Sequence, residues 1–100
     1  MKKHTSILKI LAELKSKIDF SQIAVIDYWE ADLCAIGLQR GNYLIYMNTY
    51  NYIAETDLRL DYDLELINGT VDYTVLKELR GINMTKLIAE VEYYLGQSNK

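Results

Sequence analysis

The sequence predicts an α+β domain with two layers, in which an N-terminal and a C-terminal helix cover one face of an antiparallel sheet. Helical periodicity occurs at both ends of the chain, whereas the middle alternates between apolar and polar residues with a period of two. The turns between most strands are too short for the crossovers that parallel strands need. We therefore expect a meander of about five strands in the order α-β-β-β-β-β-α, forming a single domain over residues 1–100.

Apolar stripes predict the two helices. Residues 6–18 carry isoleucine and leucine at spacings of three and four, with lysines and Glu13 off the stripe. Gly81 is interpreted as a break in the chain, after which a second stripe predicts the last helix. The expected N-caps are Thr5 or Ser6 for the first helix and Asn83 or Thr85 for the second.

Five strands are predicted between the helices, and the fourth has the clearest alternation. Its leucines and Tyr62 point one way, while Asp61, Asp63 and Glu65 point the other way. Asn68-Gly69 is a strong hairpin signal. Residues 76–80 fit a strand or a helical turn equally well. The predicted strands are Ile23–Trp29, Leu33–Gln39, Tyr43–Thr49, Leu58–Leu66 and Thr70 to about Leu76.

The distribution of charge limits the classes of partner. Residues 21–76 contain nine Asp and Glu, and Arg40 and Arg59 are their only basic residues. A nucleic-acid partner is disfavoured, because phosphate contacts need a basic stripe. An acidic middle fits a basic protein partner better. Because Lys9 and Glu13 interrupt the first apolar segment, and no apolar run reaches the length of a membrane span, we expect a cytoplasmic protein without membrane contacts.

Catalytic and metal-binding constellations are largely excluded. His4 is the single His and is expected in a mobile N-terminal tail, while Cys34 is the single Cys and is expected to be a buried thiol. A Ser-His-Asp or Cys-His arrangement would depend on His4, and a structural zinc site needs four such ligands. We therefore expect a protein that is not an enzyme, with no catalytic residue, metal site or cofactor.

The acidic residues of the fourth strand share their predicted sheet face with aromatic side chains. If the leucines of that strand face the helices, the acids lie on the uncovered face with tyrosine from the third strand and tryptophan from the first. Aromatic anchors with a charged rim are typical of protein-recognition surfaces. The predicted partner-binding residues are Trp29, Glu30, Asp32, Tyr46, Asp61, Asp63 and Glu65.

Three segments carry a resemblance to known proteins: DYWEADLCAIG at 27–37, LIYMNTY at 44–50 and YDLE at 62–65. With these segments, the chain resembles a small bacterial family of single-domain proteins without assigned function. Its overall design is also similar to the immunity proteins of bacterial toxin systems, which are small and acidic and act by binding one toxin. This similarity implies a basic toxin domain as the partner and implies no catalytic residues.

Whether the carboxylates of the fourth strand bind a cation stays open, and so do two alternatives to the proposed protein binding. Asp27, Glu30 and Asp32 lie near the first hairpin and would serve a small hydrolase or a ligand-binding protein if their carboxylates converged in a deep pocket. A flat aromatic patch would favour protein binding instead. The second alternative is a homodimer in which the uncovered sheet faces of two copies pair.

Overall fold

The computed structural model describes residues 2–69 and 72–96 and confirms the predicted α+β class and element order. Five strands form one sheet in the spatial order β1-β2-β3-β4-β5, and every neighbouring pair is antiparallel. The elements are α1 (Thr5–Lys17), β1 (Ala24–Ile26), β2 (Ala35–Arg40), β3 (Tyr43–Asn48), a 3₁₀ turn (Tyr50–Tyr52), β4 (Arg59–Asn68), β5 (Asp72–Asn83) and α2 (Met84–Leu95).

Both helices pack on the same face of the sheet, and we call the other face the open face. The alternation predicted for β4 is confirmed, because Leu60, Tyr62 and Leu64 are buried beneath the helices. The intervening acids from Asp61 to Glu65 therefore lie on the open face. The core joins residues of α1 and α2 to inward-facing residues of β2, β3 and β4.

Glu90 of α2 is a buried carboxylate between the helix and the sheet. It accepts hydrogen bonds from the Tyr62 hydroxyl (2.9 Å) and the Lys77 ammonium (3.0 Å), and Lys86 lies 3.1 Å from its second oxygen. Burial by itself would raise the pKa of Glu90, but the hydrogen bonds from Lys77, Tyr62 and Lys86 outweigh it and lower the pKa. This network ties α2 to β4 and β5.

The first two strands are shorter than predicted, and residues 27–34 form a loop that we call the β1–β2 loop. The Asp27 carboxylate accepts a hydrogen bond from the Trp29 amide (3.2 Å), and the Asp32 carboxylate accepts one from the Cys34 amide (3.0 Å). Such bonds two residues along the chain form turns that compete with strand pairing. The expected place of Trp29 on a strand is therefore wrong.

The last strand is longer than predicted, and residues 76–80 belong to it. The prediction that Gly81 breaks the chain is wrong, because Gly81 lies inside β5 at an irregularity in its pairing with β4. Its φ of +63° is a conformation that favours glycine. A second irregularity leaves Leu76 without a partner in the β4–β5 register. The predicted start at Thr70 falls in 70–71, outside the described residues.

The segment before α1 also differs from the expectation. His4 is not part of a mobile tail, because its Nδ1 accepts a hydrogen bond from the Ser6 amide (3.1 Å) and makes His4 the N-cap of α1. Thr5 and Ser6 are therefore not the cap.

The predicted N-cap of α2 is confirmed, since the Asn83 side chain accepts a hydrogen bond from the Lys86 amide (2.9 Å).

Candidate functional site

A groove of about 780 Å³ lies at the end of the open face where the β1–β2 loop meets the 3₁₀ turn. Four of the seven predicted partner-binding residues line it, namely Asp32, Tyr46, Asp61 and Asp63, while Trp29, Glu30 and Glu65 do not. We refer to this cavity as the groove. Its other lining residues are His4, Ala31, Leu33, Cys34, Asn48, Tyr50, Asn51, Ile53 and Arg80.

Strand register brings the floor of the groove together. Tyr46 pairs with Asp63 and Asn48 pairs with Asp61 across β3 and β4, so all four side chains lie on the same face of neighbouring strands. The register follows from the buried leucines of β4, since a slip of one residue would turn its acids into the core. The predicted clustering of Tyr46 with the β4 acids is therefore observed.

Asp61 has an organising role inside the chain that the sequence did not suggest. Its Oδ1 accepts hydrogen bonds from the Tyr52 hydroxyl (2.6 Å) and the backbone amide of Gly81 (3.1 Å). Its Oδ2 accepts one from the side-chain amide of Asn51 (3.3 Å). The bond to Asp61, then burial, raises the pKa of Tyr52. All three donors are neutral, so the charge of Asp61 meets no cation in these contacts.

Asp63 is paired with a cation at the surface. Its Oδ1 lies 2.9 Å from Nη1 of Arg80, and the other guanidinium nitrogen lies 3.7 Å from Glu78. The side chain of Arg80 is 52% exposed, so the pair contributes little to stability. The bond to Asp63 raises the pKa of Arg80, which stays charged. Arg80 is the one Arg or Lys among the described lining residues.

The carboxylate of Asp32, like that of Asp61, accepts its hydrogen bonds from neutral donors. Besides the Cys34 amide, its carboxylate accepts a hydrogen bond from Nδ2 of Asn48 (3.1 Å), which lies 2.7 Å from the Tyr46 hydroxyl. Asp27 points elsewhere, because its carboxylate binds the ammonium of Lys3 at 2.8 Å. Of the three carboxylates that the enzyme alternative needs, the groove is lined by Asp32 and not by Asp27 or Glu30.

Trp29 lies over the open face and does not project as a free anchor. Its ring centroid is 4.7 Å from that of Tyr46 in an edge-on arrangement. A Cβ added to Gly37 would lie 3.0 Å from the Trp29 ring and 3.2 Å from Cδ1 of Leu44. The absence of a side chain at Gly37 is what lets the indole approach the sheet, and the indole covers this part of the open face.

The remaining predicted acids, Glu30 and Glu65, differ in their surroundings. Glu30 is exposed in the β1–β2 loop. Glu65 is partly buried on the open face, and no hydrogen bond or ion pair from residues 2–69 or 72–96 reaches its carboxylate. Burial, and then the charge of Asp63, raise the pKa of Glu65. Its ionised form is therefore disfavoured in the folded chain, and a nearby cation would relieve this cost.

Replacing Glu65 with glutamine is expected to raise the free energy of unfolding at pH 7 by no more than about 0.5 kcal/mol, because solvent screens much of the effect at a partly exposed carboxylate. A carboxyl whose pKa is raised by folding does not lower the free energy of unfolding at pH values below its ordinary pKa of 4.5. It lowers this free energy increasingly as pH rises through the folded pKa. Urea unfolding at pH 7 and pH 4 measures the difference in free energy of unfolding between the variant and the parent, and this difference should be smaller at pH 4. A variant less stable than the parent at pH 7 would contradict this assignment. Glu30→Gln serves as the exposed control.

One wall of the groove is apolar and exposed, which the sequence did not reveal. Leu33 is 52% exposed, Tyr50 67% and Ile53 45%. They come from the β1–β2 loop and the segment after β3, where no alternating pattern indicates which way a side chain points. Exposed apolar residues gathered in one cavity are typical of interaction sites. The groove thus combines an apolar wall with an acidic floor.

The side chains that line the groove can be compared with the groups that metal binding and nucleophilic catalysis need. Within residues 2–69 and 72–96, no three His, Cys, Asp or Glu side chains lie close enough together to hold a metal ion. Nδ1 of His4, on the groove wall, is engaged by Ser6, and Cys34 is buried. What the groove presents is carboxylates, amides and tyrosines beside apolar side chains.

The structure contains no helix, among the residues it describes, that is long and apolar enough to cross a membrane. Comparisons with protein-family models, with curated proteins and with solved structures return no match for this chain.

Proposed function

We propose that the protein is a non-enzymatic binding protein that holds a basic segment of a protein partner in the groove. The observation that carries the proposal is the joining of an acidic floor to a wall of exposed apolar residues in one cavity. The acids attract and orient a cationic partner, and the apolar wall supplies area that gains from leaving water.

The acidic residues in and beside the groove favour a cationic occupant. The carboxylates of Asp61 and Asp32 accept from neutral donors, and that of Glu65 has no hydrogen-bond or ion-pair partner in the described chain. Arg80 is the one Arg or Lys that lines the groove in the described chain, so it alone offsets the negative charge of these acids. The proposed occupant is therefore a segment in which Arg or Lys side chains lie next to apolar ones.

The most concrete form of this proposal is an immunity-type protein of the cytoplasm that neutralises a basic toxin domain. It rests on the sequence resemblance and on the charge of the groove. The enzyme alternative loses support, because Asp27 is bound to Lys3 and Asp32 to Asn48. A homodimer of facing open faces would set the acids of one copy against those of the other, which charge repulsion opposes.

The apolar wall can be tested directly, since its residues are exposed and their replacement should leave the fold intact. The probe is a short synthetic peptide in which Arg alternates with Leu, titrated into ¹⁵N-labelled protein. We expect amide shifts at groove residues, and at least about fivefold weaker binding by Leu33→Ser with Ile53→Ser, a loss of roughly 1 kcal/mol.

Two controls accompany this titration. Val75→Ser with Leu76→Ser changes two exposed apolar residues that do not line the groove and should leave the affinity unchanged. A peptide with Glu in place of Arg should not shift the groove amides. Equal binding by the wall variant and the parent, or shifts spread evenly over the surface, would contradict the proposed site.

A further inference from the structure

Lys3 is a buried lysine that fastens the β1–β2 loop. Its side chain is 1% exposed, and its ammonium donates to Oδ1 of Asp27 (2.8 Å) and to the backbone carbonyls of Trp29 (3.1 Å) and Asp32 (2.8 Å). A lysine ammonium has three protons to donate, and a buried one is costly unless they are all bonded. These three acceptors match that requirement.

The next residue continues the same attachment. The amide of His4 donates to the carbonyl of Leu33 at 2.8 Å. Two consecutive residues therefore hold the loop at its beginning, middle and end. The loop in turn places the Trp29 ring on the open face and Leu33 on the apolar wall of the groove.

We propose that Lys3 is a positioning residue for the groove, holding the β1–β2 loop in the arrangement that completes the groove's wall and floor. The consequence for binding rests on the proposed function. A loop held in place before the partner arrives loses less conformational entropy on binding, so affinity depends on Lys3 even though its side chain is buried.

The loop can be observed without any partner, because Trp29 is the single Trp of the sequence. In Lys3→Met we expect Trp29 emission to move to longer wavelength and hydrogen exchange of loop amides, such as that of Asp32, to rise by at least about tenfold. Amides of the β3–β4 ladder should keep their protection. Lys2→Met, at the exposed neighbouring position, should resemble the parent.

A second variant guards against a general loss of folding. Asp27→Asn removes the charged acceptor but leaves the two backbone carbonyls for Lys3, so a smaller change in the same direction is expected. If Lys3→Met does not fold, the Trp29 emission and loop exchange of Asp27→Asn decide the matter. Unchanged emission and unchanged loop exchange in the folded variant would overturn the positioning role.

The binding arm separates this inference from the proposed function. If the parent binds the Arg–Leu peptide, Lys3→Met should bind it at least about fivefold more weakly, while Lys2→Met binds it like the parent. Equal affinity of a folded Lys3→Met with a loosened loop would overturn the role in binding. If the parent itself does not bind the peptide, the proposed function fails, and the Trp29 and exchange results still decide whether Lys3 positions the loop.

Discussion

Replacing Glu90 with alanine is expected to lower the free energy of unfolding at pH 7 by about 3 kcal/mol. The change leaves the buried Tyr62 hydroxyl and the Lys77 ammonium without their acceptor, and removing one partner of such a network costs more than the bond itself contributed. Urea unfolding followed by circular dichroism measures the loss. Lys86→Ala, which removes a half-exposed partner of the same carboxylate, should cost less than about 1 kcal/mol.

The pH dependence of this difference follows from the lowered pKa of Glu90. A carboxylate with a depressed folded pKa stabilises the fold above its ordinary pKa of 4.5, and this contribution is lost as pH falls through the folded value. The difference in free energy of unfolding between the parent and Glu90→Ala should therefore become smaller at acidic pH. A difference that grows on acidification would contradict the account. Adding Tyr62→Phe to Glu90→Ala should recover part of the lost stability, because the hydroxyl without an acceptor is then removed.

Replacing Gly37 with valine is expected to displace the Trp29 ring from the open face and to cost about 2 kcal/mol by overpacking. Even a Cβ at this position would lie 3.0 Å from the indole and 3.2 Å from Leu44. Trp29 fluorescence should shift to longer wavelength, and urea unfolding should show the loss of stability.

A double-mutant cycle identifies the cause of the Gly37 effect. In a Trp29→Ala background the added valine no longer meets the indole, so Gly37→Val should cost less there than in the parent. An equal cost in both backgrounds would mean that Leu44 or the strand itself carries the strain. Either the fluorescence or the cycle alone can contradict the placement of the indole against Gly37.

The fold class could be predicted because the dominant patterns obey simple periods. The alternation of β4 places its leucines in the core and its acids on the open face, and the structure keeps that arrangement. The grouping of Tyr46 with Asp63 follows from the same period once β3 and β4 pair. Where a segment alternates without interruption, the sequence is enough to say which face a residue occupies.

β5 shows where this reasoning fails. The irregularities at Leu76 and Gly81 shift the alternation, so that Lys77 faces Glu90 on the helix side while Arg80 reaches Asp63 on the open face. A strand whose period is interrupted twice has the mixed pattern that also fits a helical turn. Nothing local marks Arg80 as the partner of an acid on the neighbouring strand.

The segments around the groove could not be placed from the sequence for a different reason. Asp27 and Asp32 make side-chain bonds to the backbone that end the strands, and Lys3 reaches across 24 residues to bind Asp27. Contacts over such a separation leave no periodic trace. The groove could be anticipated as an acidic, aromatic surface, but its apolar wall and the lysine that fastens its loop could not.

The central claim, that the acidic side of the groove holds a basic protein partner, is tested most directly by comparing three immobilised forms of the protein as baits. The forms are the parent, a groove variant and a control. The groove variant is Asp63→Lys, in the groove, with Glu65→Lys, beside it on the open face. The control is Asp57→Lys with Asp72→Lys, whose acids are exposed and do not line the groove. Asp61 is left unchanged, because its bonds to Tyr52 and Gly81 support the fold.

We expect the parent and the control to retain the same basic protein from cells of the native source, with an affinity that falls as salt rises. The groove variant should bind that protein at least about tenfold more weakly, a loss of about 1.4 kcal/mol or more. Equal retention of the same protein by all three forms would contradict the account.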